Sequence, residues 1–215
     1  MYQTVLFDLD GTLTDPGVGI TNSVMYALKK YGIEVSDRTE LYKFIGPPLQ
    51  ESFELFYEFP EEKAGEAVKY YREHYSKTGI FENKVYDGLE DTLKKLKNSG
   101  KNLVVATAKP ELFANQILER FHLAEYFSFV AGANMDGTRT RKDEVIAYAL
   151  ESCGISDYKQ AVMVGDREHD VLGAARFGID TIGVLYGYGS REELEQAGAV
   201  YLAERPEDIC RFVLL

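Results

Sequence analysis

A chain of 215 residues with 45% hydrophobic content is long enough for one large domain, or for a core domain carrying a smaller insertion around a sizeable core. Its net charge of −11 argues against nucleic acid or an anionic membrane as a partner, yet leaves room for a small phosphorylated substrate where positive charge gathers locally. Two cysteines, Cys153 and Cys210, argue against a disulfide framework and for a reducing cytoplasm. No run approaches the ~20 apolar residues of a membrane helix, and Met1 leads into an apolar strand instead of a charged leader, so no signal peptide is expected.

In chain order, Val5-Leu6-Phe7 comes first, a short β-branched and aromatic run that predicts a buried central strand. Such a strand delivers Asp8 to its C-terminal end, where open α/β sheets build their sites. Asp8 and Asp10 are two apart, so extended backbone puts them on one side. Two carboxylates a few ångströms apart repel by about 4 kcal/mol at the dielectric of a protein surface, and persist only with a shared proton or a cation between them. Gly11 allows the sharp turn that follows. The stretch reads as a metal-assisted carboxylate site.

Residues 14–19 read as a loop, and a helix is expected from about Ile20 to Tyr31. The pattern then stays helical to about Gly79. Leu41, Phe44 and Ile45 form an apolar face, Gly46-Pro47-Pro48 breaks it, and Leu49, Phe53 and Phe56 resume the spacing. Pro60 opens a helix with Ala64, Ala67, Val68 and Tyr71 as its inner stripe. Tyr57, Tyr70, Tyr71 and Tyr75 are expected to pack within this block. The expected organisation is an all-helical insertion, residues 16–85, in a core made of 1–15 and 86–215. Gly17, Gly19 and the 83–88 segment are its expected hinges.

From Asp87 the pattern alternates. Helices are expected near 89–99, 110–121 and 143–154 and up to Phe177, with strands near 102–106, 127–132, 161–164 and 181–184. Continuous apolar strands between helices predict a parallel sheet covered on both faces. Three strands end in polar residues: Asp8 with Asp10, then Thr107, then Asp166 with Asp170 behind it. Lys142 precedes a helix. Four carboxylates at one sheet edge call for a hard divalent cation, and magnesium suits a site of few carboxylates plus a phosphate. The Thr107 hydroxyl and Lys142 ammonium suit phosphate oxygens. His74, His122 and His169 show no ligand spacing.

These residues fall in the order of four motifs, and the whole chain resembles the haloacid dehalogenase superfamily, most of all its phosphoglycolate-phosphatase-like members. Asp8-Leu9-Asp10-Gly11-Thr12 matches the first motif, Thr107 the second, Lys142 the third, and Gly165-Asp166 with Asp170 the fourth. The resemblance implies a Rossmann-like core with a C1 cap and a phosphatase acting on a small phosphorylated metabolite. Asp8 is then the nucleophile that becomes an aspartyl-phosphate, and Asp10 protonates the leaving group and activates water. Mg²⁺ is implied on Asp8, the Asp10 carbonyl and Asp166, with Asp170 supporting it. Gly11, Thr12, Ala108, Lys109 and, in the cap, Gly46 are the candidate substrate contacts; Gly46 reads equally as a helix break.

The match departs at Ala108, where Asn is common, and at Asp143, where Pro is common after the lysine. Arg139, Arg141 and Lys109 remain alternatives to Lys142 on phosphate. Asp10 separates the chain from dehalogenases, which lack that aspartate. The absence of His in 14–20 separates it from the mutases, and the absence of Lys in 46–52 from phosphonatases. A 5′-nucleotidase or pyrophosphatase, or a catalytically silent binding protein, are the alternative functions. A cytoplasmic monomer or weak homodimer is expected.

Overall fold

The computed structural model describes residues 2–214. In chain order the elements are β1 (Thr4–Phe7), β2 (Thr14–Asp15), α1 (Gly17–Lys29), a 3₁₀ segment (Arg38–Phe44), α2 (Leu49–Tyr57), α3 (Glu61–Tyr75) and β3 (Lys84–Val85). Then follow α4 (Leu89–Asn98), β4 (Asn102–Pro110), α5 (Glu111–Arg120), β5 (Phe129–Ala133), α6 (Lys142–Ser152), β6 (Ala161–Gly165), α7 (Glu168–Ala175), β7 (Asp180–Val184), α8 (Arg191–Ala197), β8 (Tyr201–Ala203) and α9 (Pro206–Leu214). The chain forms two compact units, Met1–Asp15 with Val85–Leu215, and Pro16–Lys84. Among the described residues no helix is long and apolar enough to cross a membrane.

The first unit is an α/β fold. Its six strands pair in parallel in the order β5-β4-β1-β6-β7-β8. β1 is wholly buried, because Val5, Leu6 and Phe7 have strands on both sides and helices over both faces. Phe7 lies level with Val105 of β4 and Val164 of β6. From β1 the chain lays strands outward on one side and then on the other, so the C-terminal ends of β1, β4 and β6 flank the crevice that such a reversal opens. Leu6, Val104, Ala106 and Met163 share one core cluster with Val145, Ile146, Ala149 and Leu150 of α6 and Ala174 of α7. Asp8 follows Leu6 by two and so turns to the same face, the side of α6 and α7.

β4 and α1 differ from the sequence-based expectation, and β2 and β3 are short strands where none is expected. β4 does not end before Thr107; it runs on to Pro110, with its register to β5 broken. Ala106 opposes Ala131 and Pro110 opposes Ala133, so four steps along β4 face two along β5, and residues 107–109 bulge out of the ladder. α1 starts at Gly17, earlier than Ile20, and both expected hinge glycines lie inside it. Gly19 is there for close packing, since a Cβ on it would lie 1.9 Å from the Gly79 carbonyl oxygen.

The Pro16–Lys84 unit is helical and packed on rings. Phe44 and Phe53 meet edge to face at 5.1 Å, Phe53 stacks on Phe59 at 6.0 Å, and Tyr71 on Tyr75 at 5.3 Å. Tyr57 and Tyr70 join through Phe59 and Tyr31. Lysine ammoniums cap the rings from outside: Lys63 stands 3.9 Å over Phe59 and Lys43 4.6 Å over Phe56.

Candidate active site

Asp8 leaves β1 with its backbone N–H donating to the Val164 carbonyl at 2.9 Å, which ties it to the end of β6. Two residues beyond Val164, Asp166 is fully buried. Asp170 comes from the first turn of α7, where its Oδ2 accepts the Arg167 backbone N–H at 3.1 Å and so caps the helix. One carboxylate oxygen each from Asp8, Asp166 and Asp170 lie within 4.8 Å of one another. No histidine belongs to this cluster.

Glycines make the convergence possible. A Cβ on Gly165 would sit 2.2 Å from Asp170 Cγ, and one on Gly11 2.1 Å from Asp166 Oδ2. Gly11 also has φ +81°, which a side chain would strain. The bend after Gly11 returns Leu13 and Thr14 N–H groups to the Leu9 carbonyl. Thr12 is buried, its hydroxyl 3.4 Å from Asp166 Oδ1.

Two buried lysines complete the charge pattern. Lys142, the first residue of α6, places Nζ 2.8 Å from Asp8 Oδ1 and 2.7 Å from Asp170 Oδ1, and donates to the Ala106 carbonyl at 3.1 Å. Lys109, in the bulge of β4, places Nζ 2.5 Å from Asp10 Oδ2. Asp10 Oδ1 is buried without a hydrogen-bond partner among the described residues. Thr107 is buried beside them, its hydroxyl accepting the Lys109 backbone N–H at 3.2 Å, while Ala108 is half-buried. Gly46 belongs to the helical unit, where φ +107° turns the chain ahead of Pro47. Arg139 is committed elsewhere, to Glu111, Asn134 and the Gly132 carbonyl, and Arg141 to Asp143.

Burial sets the proton affinities. It raises Asp166 well above the ordinary carboxyl range, helped by Asp170 and Asp8. It raises Asp170 to about 6, against the pull of Lys142. Asp10 is raised by burial and drawn back by Lys109. For Lys142 burial acts downward, and the carboxylates of Asp170 and Asp8 outweigh it, leaving the ammonium firmly charged. Four buried carboxyls, Asp8, Asp10, Asp166 and Asp170, share two ammoniums, and a divalent cation would take the place of the protons that burial draws to them. Hard oxygen donors this close fit Mg²⁺.

One segment escaped the sequence reading. The loop after β7 folds back on Asp166: the Tyr188 N–H donates to Asp166 Oδ2 at 2.8 Å, and Gly187 and Gly189 leave no room for a Cβ against Asp166. The Tyr186 hydroxyl donates to the Thr12 carbonyl at 3.0 Å, Tyr188 donates to Asp15, and Tyr86 packs on Tyr186 at 4.8 Å. The signal was present in Tyr186-Gly187-Tyr188-Gly189, glycines alternating with aromatics directly after a strand.

Comparison with known proteins agrees with this geometry. The sequence model of the family described as haloacid dehalogenase-like hydrolase matches residues 5–184. A Pseudomonas aeruginosa protein named 5′-nucleotidase is 48% identical over 193 residues, covering 90% of this chain and 87% of its own. The tyrosine-protein kinase PtkA of Mycobacterium tuberculosis is 41% identical over 194 residues, which span 90% of this chain and 66% of PtkA. The crystal structure of a predicted phosphatase from Clostridium acetobutylicum superposes with a TM-score of 0.97 at 50% identity, covering 100% of this chain and 99% of that one.

Proposed function

The chain belongs to the haloacid dehalogenase-like hydrolase family, and from that premise we propose that it is a Mg²⁺-dependent phosphatase of a small phosphorylated metabolite, working through an aspartyl-phosphate on Asp8. The observation that carries this reading is the meeting of Asp8, Asp166 and Asp170 around one point, with Lys142 buried between two of them. Asp8, Asp166, Asp170 and the Asp10 carbonyl would hold the cation. Bound there, Mg²⁺ supplies positive charge to phosphate oxygens and relieves the repulsion among the carboxylates.

The chain's own groups do the rest. Lys142 holds Asp8 and Asp170 in place, and its charge suits the phosphate oxygens that approach Asp8. Thr107 and the backbone of Gly11, Thr12 and Ala108 line the same sheet edge and are assigned to orienting the phosphate. Asp8 attacks phosphorus while Asp10 gives a proton to the leaving oxygen, and Asp10 then takes one from the attacking water. The Pro16–Lys84 unit is assigned as the family's cap domain, with Gly46 as its candidate substrate contact.

Turnover of p-nitrophenyl phosphate, lost with EDTA and restored by Mg²⁺, tests the reading. Activity that survives EDTA, or survives Asp8→Asn, contradicts it. For the substrate, a phosphoglycolate-like metabolite is the first choice. A nucleoside 5′-monophosphate is the second, favoured by the 48% identity to the protein named 5′-nucleotidase. A panel of phosphoglycolate, nucleoside 5′-monophosphates and pyrophosphate separates these by kcat/KM. Phosphoryl transfer to a tyrosine acceptor instead of water would point to the relative named tyrosine-protein kinase.

A further inference from the structure

The two buried lysines divide the carboxylates between them. Lys142 takes Asp8 and Asp170. Lys109 takes Asp10, and it is in position to do so only because β4 loses register after Ala106 and throws residues 107–109 out of the ladder. Its backbone N–H donates to the Thr107 hydroxyl, which fixes the turn, and its ammonium sits on Asp10 Oδ2 at 2.5 Å. The side chains are 5% and 11% exposed, so water does little to loosen the pair. Oδ1 of the same carboxyl is left with no hydrogen-bond partner among the described residues.

A pair buried this deeply carries a desolvation cost that seldom returns as stability. Its use is positional. A carboxyl that rotates freely offers either oxygen to a reacting group, whereas one pinned through Oδ2 offers Oδ1 in a fixed direction. We infer that Lys109 is a positioning residue for Asp10, holding Oδ2 so that Oδ1 is the oxygen presented to the reacting groups; this rests on the phosphatase reading above. In the first step an Asp8 oxygen bonds phosphorus, the ester P–O bond breaks, and the proton on Asp10 Oδ1 moves to the departing oxygen. In the second, a water oxygen bonds phosphorus, one of its protons returns to Oδ1, and the Asp8–phosphorus bond breaks to release phosphate. On this inference Lys109, a candidate substrate contact in the sequence, serves Asp10 instead of the phosphate.

The test is a series of phenyl phosphates, from 4-nitrophenyl to unsubstituted phenyl, plus an alkyl phosphate. Good leaving groups need no proton and poor ones do. Lys109→Met should lose about twofold in kcat on 4-nitrophenyl phosphate and about 10²-fold on the alkyl ester, the range general-acid catalysis supplies. Lys109→Arg keeps a cation but displaces it, and should show the same trend at a fraction of the size, which also serves should Lys109→Met not fold. Added to Asp10→Asn, Lys109→Met should cost no more than about another twofold, since both act through one group. Equal losses across the series, a loss confined to KM, or full multiplication in the double variant would make Lys109 a phosphate ligand or a structural lysine and overturn the inference. No loss in any variant would overturn it as well. Wild-type protein inert toward 4-nitrophenyl phosphate, or Asp8→Asn still active, would strike the phosphatase reading itself and take this inference with it.

Discussion

The two units solve the problem of an interior in opposite ways. In Pro16–Lys84 the buried polar residues are hydroxyls, Thr21, Ser23 and Ser52, and each donates to a backbone carbonyl four residues back in or beside its own helix. In the α/β unit the buried polar residues include Asp8, Asp10, Asp166, Asp170, Lys109 and Lys142, all at one sheet edge. Ring packing needs no counter-charge. A nest of carboxylates is held by the surrounding fold against its own repulsion, which is why its location marks chemistry and not stability.

Substitutions in the two units should therefore read out differently. Asp8→Asn should lower phosphatase turnover on the order of 10³-fold or more while leaving the thermal midpoint unchanged or higher, because it removes one charge from a crowded set. A parallel collapse of stability would put the carboxylates in the structural class. Phe53→Ala, in the ring-packed interior, should do the reverse: a stability loss of about 3–5 kcal/mol by urea titration. A cost below about 1 kcal/mol would mean that the rings are not what holds that unit.

The charged nest also predicts a pH dependence. Asp170 binds its proton more tightly folded, at about 6, than unfolded, near its ordinary 3.8. The folded state thus holds an extra proton between those values, and this group's contribution to stability falls as pH rises from about 4 to about 6. In EDTA, melting temperatures across that window should show the decline, and Asp170→Asn or saturating Mg²⁺ should flatten it. A curve indifferent to Asp170→Asn contradicts the burial argument. Smallest is a matched glycine pair. Gly165→Ala drives a Cβ to 2.2 Å from Asp170 Cγ and should cost about 1–3 kcal/mol. Gly65→Ala in α3 meets nothing within 4 Å and should stabilise by about 0.5–1 kcal/mol. Equal effects of the two would erase the distinction between the units.

The sequence made the α/β architecture readable because its strands are continuous apolar runs between helical patterns, and periodicity survives any tertiary detail. It made Asp8, Asp166 and Lys142 readable because each stands at an element's end, and Thr107 because the apolar run stops there although β4 itself runs on to Pro110. It could not show where Lys109 points. That depends on a register slip between β4 and β5, a relation between strands that no single stretch encodes. The Tyr186–Gly189 loop was lost for the same reason: its hold on Asp166 spans 22 residues from Tyr188, and glycine–aromatic alternation alone reads as an ordinary turn. Gly19 is ambiguous in sequence because glycine signals both freedom and close approach, and only the Gly79 carbonyl decides between them.

The central claim is covalent attack by the carboxylate at the end of β1. Protein quenched during turnover of a phosphate monoester and reduced with borohydride converts an acyl phosphate to an alcohol. Peptide mass spectrometry should then find homoserine in place of aspartate at position 8, only when substrate and Mg²⁺ are both present. An unmodified Asp8 in fully active protein, or reduction at another carboxylate, would contradict the account.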